Sequence, residues 1–114
     1  MIDYGKQIVS ALSSVLPVHY ELALTSGTAT PCISYQERDN YDYATGNTRG
    51  YSVISYTIKV WDNRIAEINK YAIKVDEVMR QLGFKRINCG ELYDTNSTMI
   101  QKIMTYQAYG LEDF

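Results

Sequence analysis

The stretch that decides the fold is residues 51–61 (YSVISYTIKVW) followed by residues 64–82 (RIAEINKYAIKVDEVMRQL). In the first segment Ile54, Tyr56, Ile58 and Val60 alternate with a mixed set of side chains, which is the period-two pattern of a β-strand about 35 Å long. In the second segment apolar residues recur at steps of three and four, which predicts an amphipathic helix. Gly83 follows at the position of a left-handed helix cap.

Working outward from this strand and helix, the same patterns place the remaining elements. Pro17 ends a first helix, because the residue before a proline is pushed out of the helical region. Consecutive strands without helices between them favour antiparallel pairing. The predicted fold is therefore a single α+β domain over residues 1–114, a mostly antiparallel sheet of about five strands packed with two helices in the order α-β-β-β-α-β-β. Its elements are a helix over residues 2–16, strands over 18–25, 32–38 and 51–61, a helix over 64–82, strands over 84–89 and 99–109, and a mobile tail over 110–114.

Length and charge exclude several classes of protein. The chain has 114 residues, a net charge of −2 and a pI near 5.3. It is long enough for one domain, and it lacks the basic excess of a dedicated nucleic-acid binder. No apolar run approaches the ~20 residues that cross a bilayer, and residues 1–6 do not begin a secretory signal. We expect Cys32 and Cys89 to be free, buried thiols.

The search for chemistry finds no catalytic, cofactor or metal site. His19 is the only histidine, and it lies beside Glu21 without the context of a catalytic dyad. Glu37, Asp39 and Asp42 lack the regular spacing of a calcium loop. The sequence therefore predicts a protein that is not an enzyme and has no cofactor.

Tyrosine is the unusual component, with 11 Tyr against 2 Phe and 1 Trp. Tyrosine is enriched where a surface becomes an interface, although half-buried strand tyrosines would also account for the count. Residues 39–50 (DNYDYATGNTRG) are predicted to form a long polar hairpin loop. We expect this loop to contact a neighbouring subunit or another protein, the alternative being a loop without a partner. The predicted interface residues are Arg38, Asp39, Tyr41, Asp42, Tyr43 and Arg49.

Nearly the whole chain resembles the tail terminator (tail completion) proteins of long-tailed bacteriophages, which have the gpU-like fold. The resemblance is carried by the helix ending at Leu16-Pro17, the strand Pro31-Cys32-Ile33-Ser34-Tyr35, and the long strand running into a helix that ends in Leu82-Gly83-Phe84. Its last part is the turn Leu92-Tyr93-Asp94 before a final strand with Tyr106 and Tyr109.

The resemblance implies a structural virion protein without enzymatic activity, located at the head–tail junction and assembled in the host cytoplasm. Family members form rings, commonly hexamers, that cap the tail tube, end its polymerisation and present the surface on which the head docks. The implied partners are further copies of the chain, the tail tube protein and a head-completion or neck protein. DNA passes through the ring without specific binding, and an acidic lining would repel its phosphates. The alternatives are another neck or head-completion protein, or a small cytosolic adaptor or ligand-binding domain.

Overall fold

The computed structural model describes residues 3–25, 27–44, 49–95 and 97–113, and the side chains of these residues except at positions 43, 44, 49 and 111–113. The elements, in chain order, are α1 (Gly5–Leu12), β1 (Val18–Tyr20), a short 3₁₀ turn (Glu21–Ala23), β2 (Cys32–Ala44), β3 (Arg49–Asp62), α2 (Ile65–Gln81), β4 (Lys85–Asp94) and β5 (Met99–Asp113).

The strands form one five-stranded sheet in the order β1-β2-β3-β5-β4. β1 runs parallel to β2, and the other three pairings are antiparallel. Both helices pack on one face, here called the inner face; the opposite face is called the outer face. The predicted fold class and element order are confirmed.

The core lies between the helices and the inner face. Ile54, Tyr56, Ile58 and Val60 of β3 are buried there, as the alternating pattern predicts. α2 contributes a stripe of buried residues, and Met104, Tyr106 and Ala108 come from β5. The stripe consists of Ile68, Ala72, Val75 and Met79.

The end of α2 has the predicted glycine cap. Gly83 has φ +93°, a conformation that glycine adopts without a Cβ penalty. The Gly83 N–H donates to the Arg80 carbonyl and the Phe84 N–H to the Met79 carbonyl, each at 3.0 Å. This is a Schellman motif, and it turns the chain so that Phe84 enters the core.

Both N-terminal elements are shorter than predicted. α1 ends at Leu12, where the Ser13 and Ser14 hydroxyls donate to the Ser10 and Ala11 carbonyls. Such local bonds compete with continued helix, so the helix stops before Pro17 is reached. β1 ends at Tyr20, and the predicted strand over residues 18–25 is wrong beyond it, because Glu21 begins a 3₁₀ turn.

The largest correction concerns residues 39–50, which are not a 12-residue loop. β2 continues to Ala44 and β3 starts at Arg49, with Asp39 opposite Ser55 and Ala44 opposite Gly50. The hairpin is confirmed, but most of the predicted loop is strand because antiparallel pairing overrides the weak strand propensity of Asp and Asn. Residues 45–48 lie outside the described part of the chain.

The two C-terminal strands are also longer than predicted. β4 reaches Asp94, and β5 continues to Asp113 instead of ending at Tyr109. Residues 110–113, predicted as a mobile tail, pair with Arg49–Ser52 of β3. Cys32 is buried, and burial raises the pKa of its thiol, but Cys89 is exposed on β4, so only one of the two thiols is buried as predicted.

Hydrogen bonds and ion pairs around Asp76 connect helix α2 to the sheet. The buried Tyr106 hydroxyl donates to Asp76 Oδ1 at 2.9 Å, and Arg80 Nε donates to Asp76 Oδ2 at 2.8 Å. Arg86 Nη1 lies 3.7 Å from Asp76 Oδ1. Burial alone would raise the pKa of Asp76, but the hydrogen bonds from Arg80 and Tyr106 and the charge of Arg86 outweigh it, so the pKa is lowered.

This cluster predicts a specific pH dependence. Because the pKa of Asp76 is lower in the folded state, its stabilising effect is present above the unfolded value of about 3.9 and is lost as pH falls through the folded value. Tyr106→Phe should cost about 1.5–3 kcal/mol at neutral pH, where a hydrogen bond to a charged group is lost. The cost should shrink below about pH 4. Urea unfolding across this range checks it, with the exposed Tyr109→Phe as the control; a pH-independent cost would contradict the assignment.

Candidate assembly interface

Strands β2, β3 and β5 continue past the helices as a three-stranded ribbon. The core ends at Ile54 on β3 and at Ala108 on β5, whereas the strands run on to Arg49 and Asp113. The molecule is accordingly elongated, with principal extents of 53 × 24 × 23 Å. α2, at about 1.5 Å per residue, is only about 26 Å long and leaves the end of the sheet without a helix over it. The ribbon therefore places the predicted interface segment at one end of the molecule.

The outer face of the ribbon carries a cluster of tyrosines. Tyr41 of β2 lies opposite Val53 of β3, which lies opposite Tyr109 of β5. Val53 is 3% exposed, whereas Tyr41 and Tyr109 are 50% and 64% exposed. Tyr51 packs edge-on against Tyr109, with 5.8 Å between the ring centroids. We call Tyr41, Tyr51, Val53 and Tyr109 the tyrosine patch; it joins apolar ring area to hydroxyls, the combination that protein interfaces favour.

The structure brings together only part of the predicted interface set. Asp39 and Tyr41 are exposed on the outer face, and the exposed Arg38 lies within a β-bulge between Glu37 and Asp39. Asp42 lies on the inner side of the ribbon, where its Oδ1 accepts a hydrogen bond from Ser52 Oγ at 2.8 Å. The side chains of Tyr43 and Arg49 lie outside the described part of the structure. A single patch containing all six residues is therefore not formed by the described side chains.

Tyr51 and Tyr109 are the interface candidates that the sequence analysis did not select. Tyr51 and Val53 belong to the mixed set of side chains that alternates with the four core residues of β3, and the structure confirms that alternation. Its proximity to Tyr109 depends on the register of β3 against β5, which residues 58 positions apart in sequence do not reveal. The available signal was the tyrosine near the end of each predicted strand.

The centre of the outer face is polar and internally paired. Lys59 Nζ lies 2.5 Å from Glu21 Oε1, so the 3₁₀ turn is tied to β3. Trp61 Nε1 donates to Ser34 Oγ at 2.9 Å, and the Lys59 ammonium lies 5.9 Å from the Trp61 ring centroid. These contacts engage polar side chains in the central part of the face, whereas Tyr41 and Tyr109 at its end are at least half exposed.

The residues considered for chemistry are dispersed. Among the described residues, no group of three or more His, Cys, Asp and Glu side chains is placed to hold a metal ion. Asp39 and Asp42 lie on opposite faces of β2, so they do not converge. His19 is half-buried on β1, and the neighbouring Glu21 is engaged with Lys59. In the same described part of the chain, no helix combines the length and apolar character needed to cross a membrane.

This architecture recurs in a virion. The chain is similar to a chain in the solved structure of the virion of a native gene transfer agent (GTA) particle, with a TM-score of 0.67 and 15% sequence identity. The similarity covers 92% of this chain and 84% of that chain. No protein-family model matches the sequence, and no curated protein matches it. The likeness extends over nearly the whole chain, and at this identity it is a likeness of fold.

Proposed function

We propose that this chain is a structural protein of a tailed virion that forms a ring, with six copies as the expected number, on the end of the tail tube. There it stops tube polymerisation and provides the surface on which the head docks. The observation that carries the proposal is the shared fold with a chain of a GTA virion, at a TM-score of 0.67 over 92% of this chain. The sequence resemblance to tail terminators points to the same class of protein.

The shape and the surface of the molecule support this assignment. A ring subunit needs one surface for its neighbours and another for the tube, and an elongated sheet with a tyrosine patch at one end offers separate surfaces. We assign the tyrosine patch to contact with the tube protein, and the remaining predicted residues, Arg38, Asp39, Asp42, Tyr43 and Arg49, to contact with the tube protein or an adjacent subunit. Tyr and Arg are the residue types most enriched at interface hot spots. The role is geometric, so no bond is made or broken by this chain.

The expected oligomer provides the direct test. Native mass spectrometry of the purified protein, alone and mixed with tail tubes, should show a six-fold species, and negative-stain images should show rings at tube ends. Tails assembled without the protein should lose their uniform length and fail to join heads. The control is a mixture with isolated heads, which a terminator should bind only after it has capped a tube.

Two results would contradict the proposal. A strict monomer with and without tubes, combined with binding of a small molecule, would indicate an adaptor or ligand-binding domain. Binding to heads in the absence of tubes, with tail length unchanged when the protein is missing, would indicate a neck or head-completion protein.

A further inference from the structure

Two strand edges of the sheet lack a neighbour in the described part of the chain. β4 forms one edge along its whole length, and all of its residues are exposed. At the other side β1 pairs only with Ile33–Tyr35, which leaves residues 36–44 of β2 as a second open edge. Unpaired strand edges are templates for adding another strand, and natural proteins normally blunt them.

The features that blunt the β4 edge lie on either side of its middle. Lys85, Arg86 and a bulge between Arg86 and Asn88 lie at its start, and Glu91 and Asp94 lie in its second half; it contains no proline. Ile87, Leu92 and Tyr93 are each at least half exposed. Exposed apolar side chains on an open edge are typical of a strand that acquires a partner.

We propose that β4 of one copy pairs, antiparallel, with residues 36–44 of β2 in a second copy of this chain, so that the sheet continues from subunit to subunit. The strand directions support this pairing. Three successive antiparallel pairings separate β2 from β4, so β4 runs opposite to β2 within one molecule. Two copies placed side by side in the same orientation therefore present antiparallel edges to each other. The contact is head-to-tail, the kind that closes into a ring by rotation.

The charges do not choose between the two directions. The antiparallel direction brings Lys85 and Arg86 toward Asp42, but it also brings Glu91 toward Asp39 as well as Arg38, and Asp94 toward Glu37. The parallel direction would place Glu91 and Asp94 toward Asp42 but Lys85 and Arg86 toward Glu37, and like charges across a strand pair are destabilising. The antiparallel pairing therefore rests on the strand directions.

The offset between the two edges is compatible with a closed ring. Cys89, in the middle of β4, is level with Ile58 of β3, whereas Asn40, in the middle of the β2 edge, is level with Ile54. Matching these two residues, which lie on the same face of the sheet, staggers neighbouring copies by about 14 Å along the strands. The four strands from β2 to β4 are about 19 Å wide. The resulting tilt of about 35° lies at the lower end of the range of closed β-barrels.

Cysteine cross-linking tests the pairing. Cys89 is an exposed thiol on the inner side of β4, opposite Met104, and Cys32 is buried. Glu37, Asn40 and Asp42 lie on the matching side of β2. We expect at least one of Glu37→Cys, Asn40→Cys and Asp42→Cys to form a disulfide with Cys89 of the next copy under mild oxidation, because paired strands hold Cα atoms about 4.5–5.5 Å apart. Each copy offers one thiol at each edge, so the products should form a ladder beyond the dimer on non-reducing gels.

The controls separate this pairing from other contacts. Asp39→Cys, on the opposite face of β2, and Ile73→Cys, on the exposed face of α2, should cross-link weakly. Adding Cys89→Ser to the best variant should remove the ladder. Thermal unfolding of each variant verifies that the fold is intact, and the three-position scan ensures that one poorly folded variant does not decide the result.

The proposal rests on the proposed function only in requiring copies of the chain to associate, and their failures are distinguishable. An oligomer in native mass spectrometry that gives no ladder at any of the three β2 positions would overturn the edge pairing alone. Efficient Cys89–Cys89 dimers in the unaltered protein would also overturn it, in favour of two β4 edges joined by a two-fold axis. A monomer with and without tail tubes would overturn both proposals.

Discussion

Replacement of Tyr41 and Tyr109 together by serine should abolish binding of the protein to tail tubes while leaving the fold intact. The two rings are 50% and 64% exposed on either side of the buried Val53, so they supply much of the accessible apolar area of the tyrosine patch. Truncation of a central interface tyrosine costs about 2 kcal/mol or more, which corresponds to about 30-fold in affinity. In a ring the loss is repeated at every subunit, so we expect no measurable capping of tubes.

A matched control separates the tyrosine patch from tyrosine content in general. Tyr20 is 44% exposed and packs against Tyr35 from β1, beside the part of the sheet that the helices cover, so Tyr20→Ser removes a similar side chain away from the ribbon. It should bind tubes normally. Co-sedimentation with tubes measures binding, and thermal unfolding verifies both folds. Unchanged binding by the double variant would show that the patch is not the tube-binding surface.

A second substitution separates ring area from hydroxyl chemistry. Tyr41→Phe with Tyr109→Phe keeps the apolar surface and removes two hydroxyls, one of which, on Tyr109, donates to Gln107 Oε1 at 3.3 Å. If burial of the rings drives the contact, this variant should retain most of the binding, because the hydrophobic contribution follows the apolar area removed from water.

The elements that were predicted well from the sequence are those in which one face packs against the core and therefore imposes a regular apolar pattern. β3 alternates and α2 has a stripe of apolar residues, because the same inner core dictates both periodicities. The glycine cap at Gly83 was predicted equally well, because this left-handed cap depends only on neighbouring residues. Local patterns therefore specified the fold class and element order.

The length of the strands that form the ribbon could not be predicted from the local sequence pattern. Asp39, Asn40 and Asp42 have turn-forming chemistry, and only pairing with β3 holds them in a strand. The same applies to residues 110–113, whose strand conformation depends on Arg49–Ser52. A strand defined by its partner cannot be recognised from its own residues, so both segments were assigned to loop or tail.

The candidate interface also contains one residue that local sequence predicted and others whose position depends on strand pairing. Tyr41 was predicted from residue type and position, and the structure exposes it. Tyr109 joins it because both lie opposite Val53, which is a fact of register. Asp42 was grouped with Tyr41 by proximity in sequence, yet adjacent strand residues point to opposite faces. The grouping would have been correct for a loop and fails for a strand.

Ile58→Ala should produce the largest loss of stability among single core truncations of β3. Ile58 is fully buried in the central strand, opposite Tyr35 of β2 and Met104 of β5. Its neighbours belong to three paired strands whose positions are fixed, so the site cannot collapse around the missing atoms. We expect a cost of about 3–5 kcal/mol, the upper part of the range for such truncations.

The matched control is Ile73→Ala on α2, which removes the same atoms from a side chain that is 62% exposed. It should change the free energy of unfolding by less than about 0.5 kcal/mol, as exposed substitutions do. Urea unfolding should separate the two variants by about 1–3 M in midpoint. Comparable losses would mean that the Ile73 face of α2 is covered in solution, for example by a second copy of the chain, and is not exposed as in the single chain. Because domains of this size are stable by only about 5–15 kcal/mol, the Ile58 variant should also lose any ring that depends on an intact sheet.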